Sequence, residues 1–147
     1  MARFAASEAI FSVDLPGGAL TAFHDGATSV TWNLARDNST HGTLGTNHIK
    51  KAYSGKAAVT GQIVCQKDTT PASLYQTLEQ YMTDATYRDT PFSMRVEAPD
   101  GATGSDRYDM EIILTAQDES ADADSGDAAT ATFSFNVDAT YAKTVIT

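Results

Sequence analysis

Apolar and polar residues alternate along most of this chain. That period of two constrains the fold more than any other feature, because it fits a pleated strand with one buried face and one wet face. Phe11, Val13 and Leu15 alternate with Ile10, Ser12 and Asp14, and Pro16-Gly17-Gly18 ends the run as a turn. Leu20 to His24 reads as the return strand, closed by Asp25-Gly26. In Ser29–Ala35, Val30, Trp32 and Leu34 share a face, and in Ala57–Gln66 so do Val59, Ile63 and Cys65. Gly61 falls inside the latter run, which predicts a bulge or a close backbone approach there. Phe92, Met94 and Val96 form a fifth apolar row, followed by a Pro99-Asp100-Gly101 turn. Tyr108, Met110, Ile112 and Leu114 form a sixth, and Ala131, Phe133, Phe135 and Val137 a seventh. Seven half-buried strands predict a mainly β fold: antiparallel sheets in a β-sandwich or barrel-like arrangement. At 147 residues the chain is the size of one domain and long enough to bury a core.

One segment changes period. Leu74, Leu78, Tyr81 and Ala85 recur at helical spacing, with Tyr75 and Met82 widening the stripe. Thr70 is the expected cap and Pro71 the first helical residue, so one flanking helix is predicted over about 71–86, its aromatic stripe facing the core. Two segments fit neither period. Residues 36–56 are polar, hold Gly42, Gly45, Gly55 and the pair Lys50-Lys51, and read as a long loop. Asp118 to Asp127 is an acidic run spaced by Ser and Ala that reads as solvated.

Charge narrows the function classes. With 10 Lys+Arg against 19 Asp+Glu the formal net charge is −9, which argues against a surface that grips nucleic acid. The single cysteine, Cys65, rules out an internal disulfide framework and a cysteine-based zinc site. Met1 to Glu8 lacks a long apolar core, so no signal peptide is expected, and no stretch approaches the ~20 apolar residues of a membrane span.

A search for chemistry finds no catalytic constellation, and no cofactor or metal is expected. His41 and His48 stand seven apart in the polar segment, a spacing that fits no helix or strand metal pair, and His24 reads as a turn residue. Ser54-Gly55-Lys56 resembles a phosphate loop only in part: Lys50 replaces its first glycine and Ala57 its Ser/Thr. The run from Asp122 to Asp127 lacks a ligand at the fifth position of a calcium loop and has Phe133 in place of the bidentate Glu. Cys65 lies on an apolar strand face and reads as an inert core thiol. Asp109 and Glu111 share a strand face, as alternating charges on wet faces commonly do.

The order of the parts is more informative than any single residue. Ser29-Val30-Thr31-Trp32-Asn33 precedes a long polar segment containing Gly42 and Lys50-Lys51. Then come Ala58-Val59-Thr60-Gly61-Gln62-Ile63, Lys67-Asp68, the helix around Leu74-Tyr75-Gln76-Thr77-Leu78, and closing strands rich in Phe and Val. From about Ala9 to Val137 this resembles the tail tube (major tail) protein of long-tailed bacteriophages. The resemblance implies a single domain over 1–147 that self-assembles into rings, usually hexameric, stacked into a hollow virion tail through which DNA passes without specific binding. It implies no enzyme activity, no membrane insertion, and partners that include the tape measure, the tail tip or baseplate and the terminator. Assembly would take place in the host bacterial cytoplasm. The polar segment 36–56 would reach an adjacent subunit or ring, which makes Arg36, His41, His48, Lys50, Lys51 and Lys56 candidate intersubunit residues. Asp109, Glu111, Asp122 and Asp124 are candidate lumen-facing acids. The acidic insertion before the last strand is not part of that pattern. Other readings of the same residues are a different ring-forming virion protein (a tail terminator, head–tail joining or capsid cement protein), the tube of a contractile injection or secretion machine, and a β-sandwich binding module.

Overall fold

The computed structural model describes residues 9–23, 27–42, 50–97, 106–121 and 129–145. Seven strands and one helix follow in the order β1 (Ile10–Asp14), β2 (Leu20–Phe23), β3 (Ala27–Gly42), β4 (Lys50–Gln66), α1 (Leu74–Thr83), β5 (Phe92–Glu97), β6 (Asp106–Ser120) and β7 (Thr130–Val145). All strand pairings are antiparallel, in one sheet of order β2-β1-β5-β6-β7-β4-β3. The mainly β expectation holds. The turn after β1 is closed by Gly18 N–H donating to Leu15 O at 2.8 Å, with Gly17 at φ 71°.

Register places the apolar rows on one face. Trp32 lies opposite Gly61, Gly61 opposite Phe135, and Phe135 opposite Leu114; Ile63 and Phe133 make the next row, and Cys65 and Ala131 the next. Ile63, Cys65, Ile112 and Phe133 are fully buried, and Phe11, Val13, Phe92, Met94 and Met110 complete the same core. The sheet is rolled rather than flat. β3 and β6 are three strands apart, about 14 Å at the usual spacing, yet the Trp32 and Tyr108 rings meet at 4.8 Å between centroids. The two ends thus fold over one core in a sandwich-like roll that leaves β2 and β3 as unpaired edges.

Gly61 shows why the register is unique. A Cβ there would lie 2.6 Å from Phe135 Cζ and 2.9 Å from Trp32 Cα, and would strike the Thr31 carbonyl. Of the two expectations for this glycine, the close backbone approach is the one found.

The helix is shorter than its periodicity implies, and its cap is Ser73 rather than Thr70. Asp68 Oδ1 accepts from Thr70 N–H at 2.9 Å, which commits Thr70 to a turn. Ser73 Oγ donates to Asp68 O at 2.7 Å and accepts from Gln76 N–H at 3.3 Å. Pro71 therefore lies in the turn, Ala72 takes φ 62°, and the first helical residue is Leu74. Leu74, Tyr75, Thr77, Leu78 and Tyr81 are buried, whereas Ala85 lies past the helix end and is exposed. Tyr81 stacks on Phe92 at 3.8 Å and donates to the Asp14 carbonyl at 2.7 Å, pinning α1 to the end of β1. Burial pushes the Tyr81 hydroxyl up to about 12.

The polar segment 36–56 is not a loop where it is described. Arg36 to Gly42 continue β3 and Lys50 to Lys56 begin β4. Apolar and polar residues do not alternate here, so no period of two marks the strands in sequence, while the backbone pairing continues: Asn38 faces Ser54, Ser39 faces Tyr53, and Thr40 faces Ala52. A second correction concerns the acidic run, whose first three residues, Asp118 to Ser120, belong to β6 and pair with β7 from Thr132 to Thr130.

Candidate assembly surface

Among the described residues, the two outermost strands of the sheet, β2 and β3, each have one side with no paired neighbour. β2 offers four residues, β3 sixteen. A long uncovered edge is a template for another strand; β3 is long and has no proline, and its pairing is interrupted only at Ala27/Ser29 and Arg36/Asn38. Leu34 on that strand is 54% exposed, one of two large apolar side chains so exposed among the described residues.

Half of β3 also lacks a sheet behind it. β7 pairs with β4 only from Thr60 to Gln66, so residues 36–42 and 50–57 form a two-stranded ribbon that extends beyond the sheet. Its seven residues of β3 extend for roughly 23 Å. An isolated two-stranded ribbon is marginal in water. Candidate intersubunit residues collect on it: exposed Arg36 at the base, Lys56 beside the register shift between Arg36 and Asn38, and His41 opposite Lys51 next to Lys50 at the far end. His48 lies outside the described residues. Residues 36–56 hold four cations and one acid, a formal +3, which leaves −12 on the remainder of the chain.

The two outer faces of the roll differ chemically. On β5 and β6, Arg95 Nε reaches Asp109 Oδ1 at 2.6 Å and Arg107 Nε reaches Asp109 Oδ2 at 3.1 Å. Asp109 is therefore held between two guanidiniums, and the triad carries one net positive charge. Glu111 lies two residues along the same face, paired with Ser93. On β3, β4 and β7, cross-strand rows run Thr31–Gln62–Ser134 and Asn33–Thr60–Asn136, and with Trp32, Gly61, Thr115 and Phe135 they line a shallow depression that holds no charged residue. Asp122 and Asp124 lie outside the described residues.

Sequence reasoning missed Glu119, which was grouped with the solvated acids. Its carboxylate accepts from Tyr75 Oη at 2.5 Å, Lys67 Nζ at 3.1 Å and Gln117 Nε2 at 3.0 Å, joining α1, the segment before it and β6. The Tyr75 hydrogen bond, then Lys67, hold its carboxyl below the usual range, while the same bond pushes the Tyr75 hydroxyl up. Period two alone would put Glu119 on the wet face with Asp109 and Glu111; the register shift between Leu114 and Ala116 turns Gln117 and Glu119 to the side of Phe133 and Ala131. Cys65 is fully buried, and burial pushes its thiol up to about 11, as suits a packed thiol rather than a nucleophile.

No protein family and no curated protein matches this sequence. Solved structures do match, over nearly the whole chain. One is the tail of an empty gene transfer agent particle refined with C6 symmetry, at 12% identity and TM-score 0.66, covering 97% of this chain and 99% of the other. Another is the SPP1 tail tube, at 10% identity and TM-score 0.68, covering 99% and 81%. A third is the sheath/tube terminator of PVC, an extracellular contractile injection system, at 13% identity and TM-score 0.70, covering 98% of each. At such identities the likeness is one of fold.

Proposed function

We propose that this chain is a structural virion protein that self-assembles into stacked rings forming a hollow tail tube, a passage for DNA rather than a binder of it. The observation that carries this reading is the whole-chain likeness to subunits of tail and tube assemblies, combined with a sheet whose longest edge and ribbon have no further partner among the described residues. A ring joins such edges between copies and removes the liability that a lone subunit exposes. The C6 symmetry of the gene transfer agent tail supports six subunits per ring.

The ribbon's charge supports a role between copies. A +3 ribbon and a −12 remainder attract across two copies of one chain, so Arg36, Lys50, Lys51 and Lys56, with His41 and His48 nearby, would meet carboxylates of a neighbour. No catalysis is part of this role. Its partners are other copies, then a tape measure protein, a tail tip or baseplate, and a terminator. It acts in the virion tail, after assembly in the host bacterial cytoplasm. The likeness to a sheath/tube terminator favours a second reading, a single capping ring; the tube of a contractile machine shares the fold as well.

Negative-stain electron microscopy of the concentrated protein separates these readings. Hollow filaments of uniform width are expected. Single rings that never stack would assign the terminator role, and a monomer that stays monomeric in the presence of preformed tail tips would overturn both.

A further inference from the structure

We propose that the channel wall of the assembled tube is the uncharged outer face of β3, β4 and β7, and that the face carrying Asp109 and Glu111 points away from the axis. This inference rests on the tube reading above and deepens it.

A roll around one core has two outer faces that look in opposite directions, so only one of them can face an axis. The face of β5 and β6 is densely charged: residues 92–97 and 106–111 include two arginines and four acids. Acids outnumber arginines there, but Arg95 and Arg107 flank the single carboxylate of Asp109, so that spot carries two guanidiniums to one acid. Guanidiniums pair with phosphate through two parallel hydrogen bonds and release counterions on binding. Repeated in every subunit of every ring, that pair would hold a polyanion in transit.

The opposite face lacks such groups. Residues 29–35, 58–66 and 130–138 contain no lysine or arginine, and their single acid, Asp138, lies at one end. Thr31, Asn33, Thr60, Gln62 and Asn136 are exposed and Ser134 half-exposed. Hydroxyls and amides at these positions exchange hydrogen bonds with water and phosphate alike, with no counterion release to favour retention. This face also includes the open β3 edge, so a strand paired there by a second copy would extend it around the ring. Passage without binding then comes from a neutral wet wall rather than from a row of acids.

Cysteine scanning of assembled tubes tests this. Native Cys65, buried and with its thiol pushed up, gives little background. Gln62→Cys, Asn33→Cys and Glu111→Cys are assembled, imaged, and treated with a small maleimide or with a polyethylene-glycol maleimide too bulky to enter the tube. In tubes, Gln62→Cys and Asn33→Cys are expected to react with the small reagent and to lose most labelling by the bulky one; dissociated subunits should react with both. Glu111→Cys should label with both in either state. Bulky-reagent labelling of Gln62→Cys in tubes would overturn the inference, and so would its protection from both reagents, which would place this face in a subunit contact. Two positions guard against one variant that fails to fold. Parent protein that forms no tubes would instead overturn the tube reading itself.

Discussion

The rolled body and the ribbon of β3 and β4 are parts of the same two strands, yet they are stabilised differently. In the body, β4 is flanked by β3 and β7, and its alternate residues fill a core with Phe133, Phe135 and α1. In the ribbon, the same strands pair only with each other. Between Leu34 and Thr40 the pairing shifts register once, between Arg36 and Asn38, and the third strand, β7, drops away. The comparison teaches that secondary structure can outrun the core that stabilises it, and that such an overhang marks where a partner is needed.

The largest expected effect separates the two regions by function. Replacing residues 37–56 with an Asn-Gly turn, which keeps Arg36 opposite Ala57, should abolish filament formation in negative stain while leaving a cooperative thermal transition close to that of the parent. A large loss of stability would show that the ribbon is part of the body. Raising salt on the intact protein should weaken assembly in the same direction, because the attraction between a +3 ribbon and a −12 remainder is screened.

The next effect lies in the body. Gly61→Ala places a Cβ against Phe135, Trp32 and the Thr31 carbonyl, and overpacking of this kind costs about 1–3 kcal/mol. Denaturant melts should show the loss in the unassembled subunit, before any question of assembly. Tyr81→Phe removes the hydrogen bond to the Asp14 carbonyl and keeps the stack on Phe92, so a smaller loss of about 1 kcal/mol is expected.

The smallest effect is pH-dependent. Glu119 has its carboxyl held down by Tyr75 and Lys67, so its contribution is fully present above the ordinary glutamate range and is lost as pH falls through the lowered value. Glu119→Gln should therefore be less stable than the parent at neutral pH. The gap should close on acidification below the ordinary glutamate range, as the held-down Glu119 carboxyl takes up its proton. A gap that persists in acid would mean that shape, and not charge, holds Tyr75 in place.

The body was legible in the sequence because burial writes itself as alternation. All seven strands and the helix appear as periodic runs with turn residues between them, and Gly61 stood out as an anomaly within one. The ribbon was not legible for the complementary reason: Arg36-Asp37-Asn38-Ser39-Thr40-His41 has no apolar row to carry an alternation. The end of β7 beyond Val137 was hidden too, although its Tyr141 packs near Tyr108 at 6.4 Å between ring centroids. The helix start was misread because Thr70 and Ser73 are both good caps, and only the hydrogen bonds of Asp68 decide between them. Of the candidate site residues, the cations were legible as a cluster in sequence and meet on one ribbon. The pairing of Asp109 with Arg95 required the β5–β6 register, which one strand's alternation does not contain.

Hydrogen–deuterium exchange of the β3 amides, measured in dissociated subunits and in assembled tubes, tests most directly whether another copy completes this sheet. In subunits, amides of residues 36–42 should exchange rapidly while those of β6 around Ile112 are protected. In tubes, the β3 amides should become protected, with little change in β6. Equal exchange of β3 in both states would contradict the account, because the open edge and its ribbon would then have gained no partner on assembly.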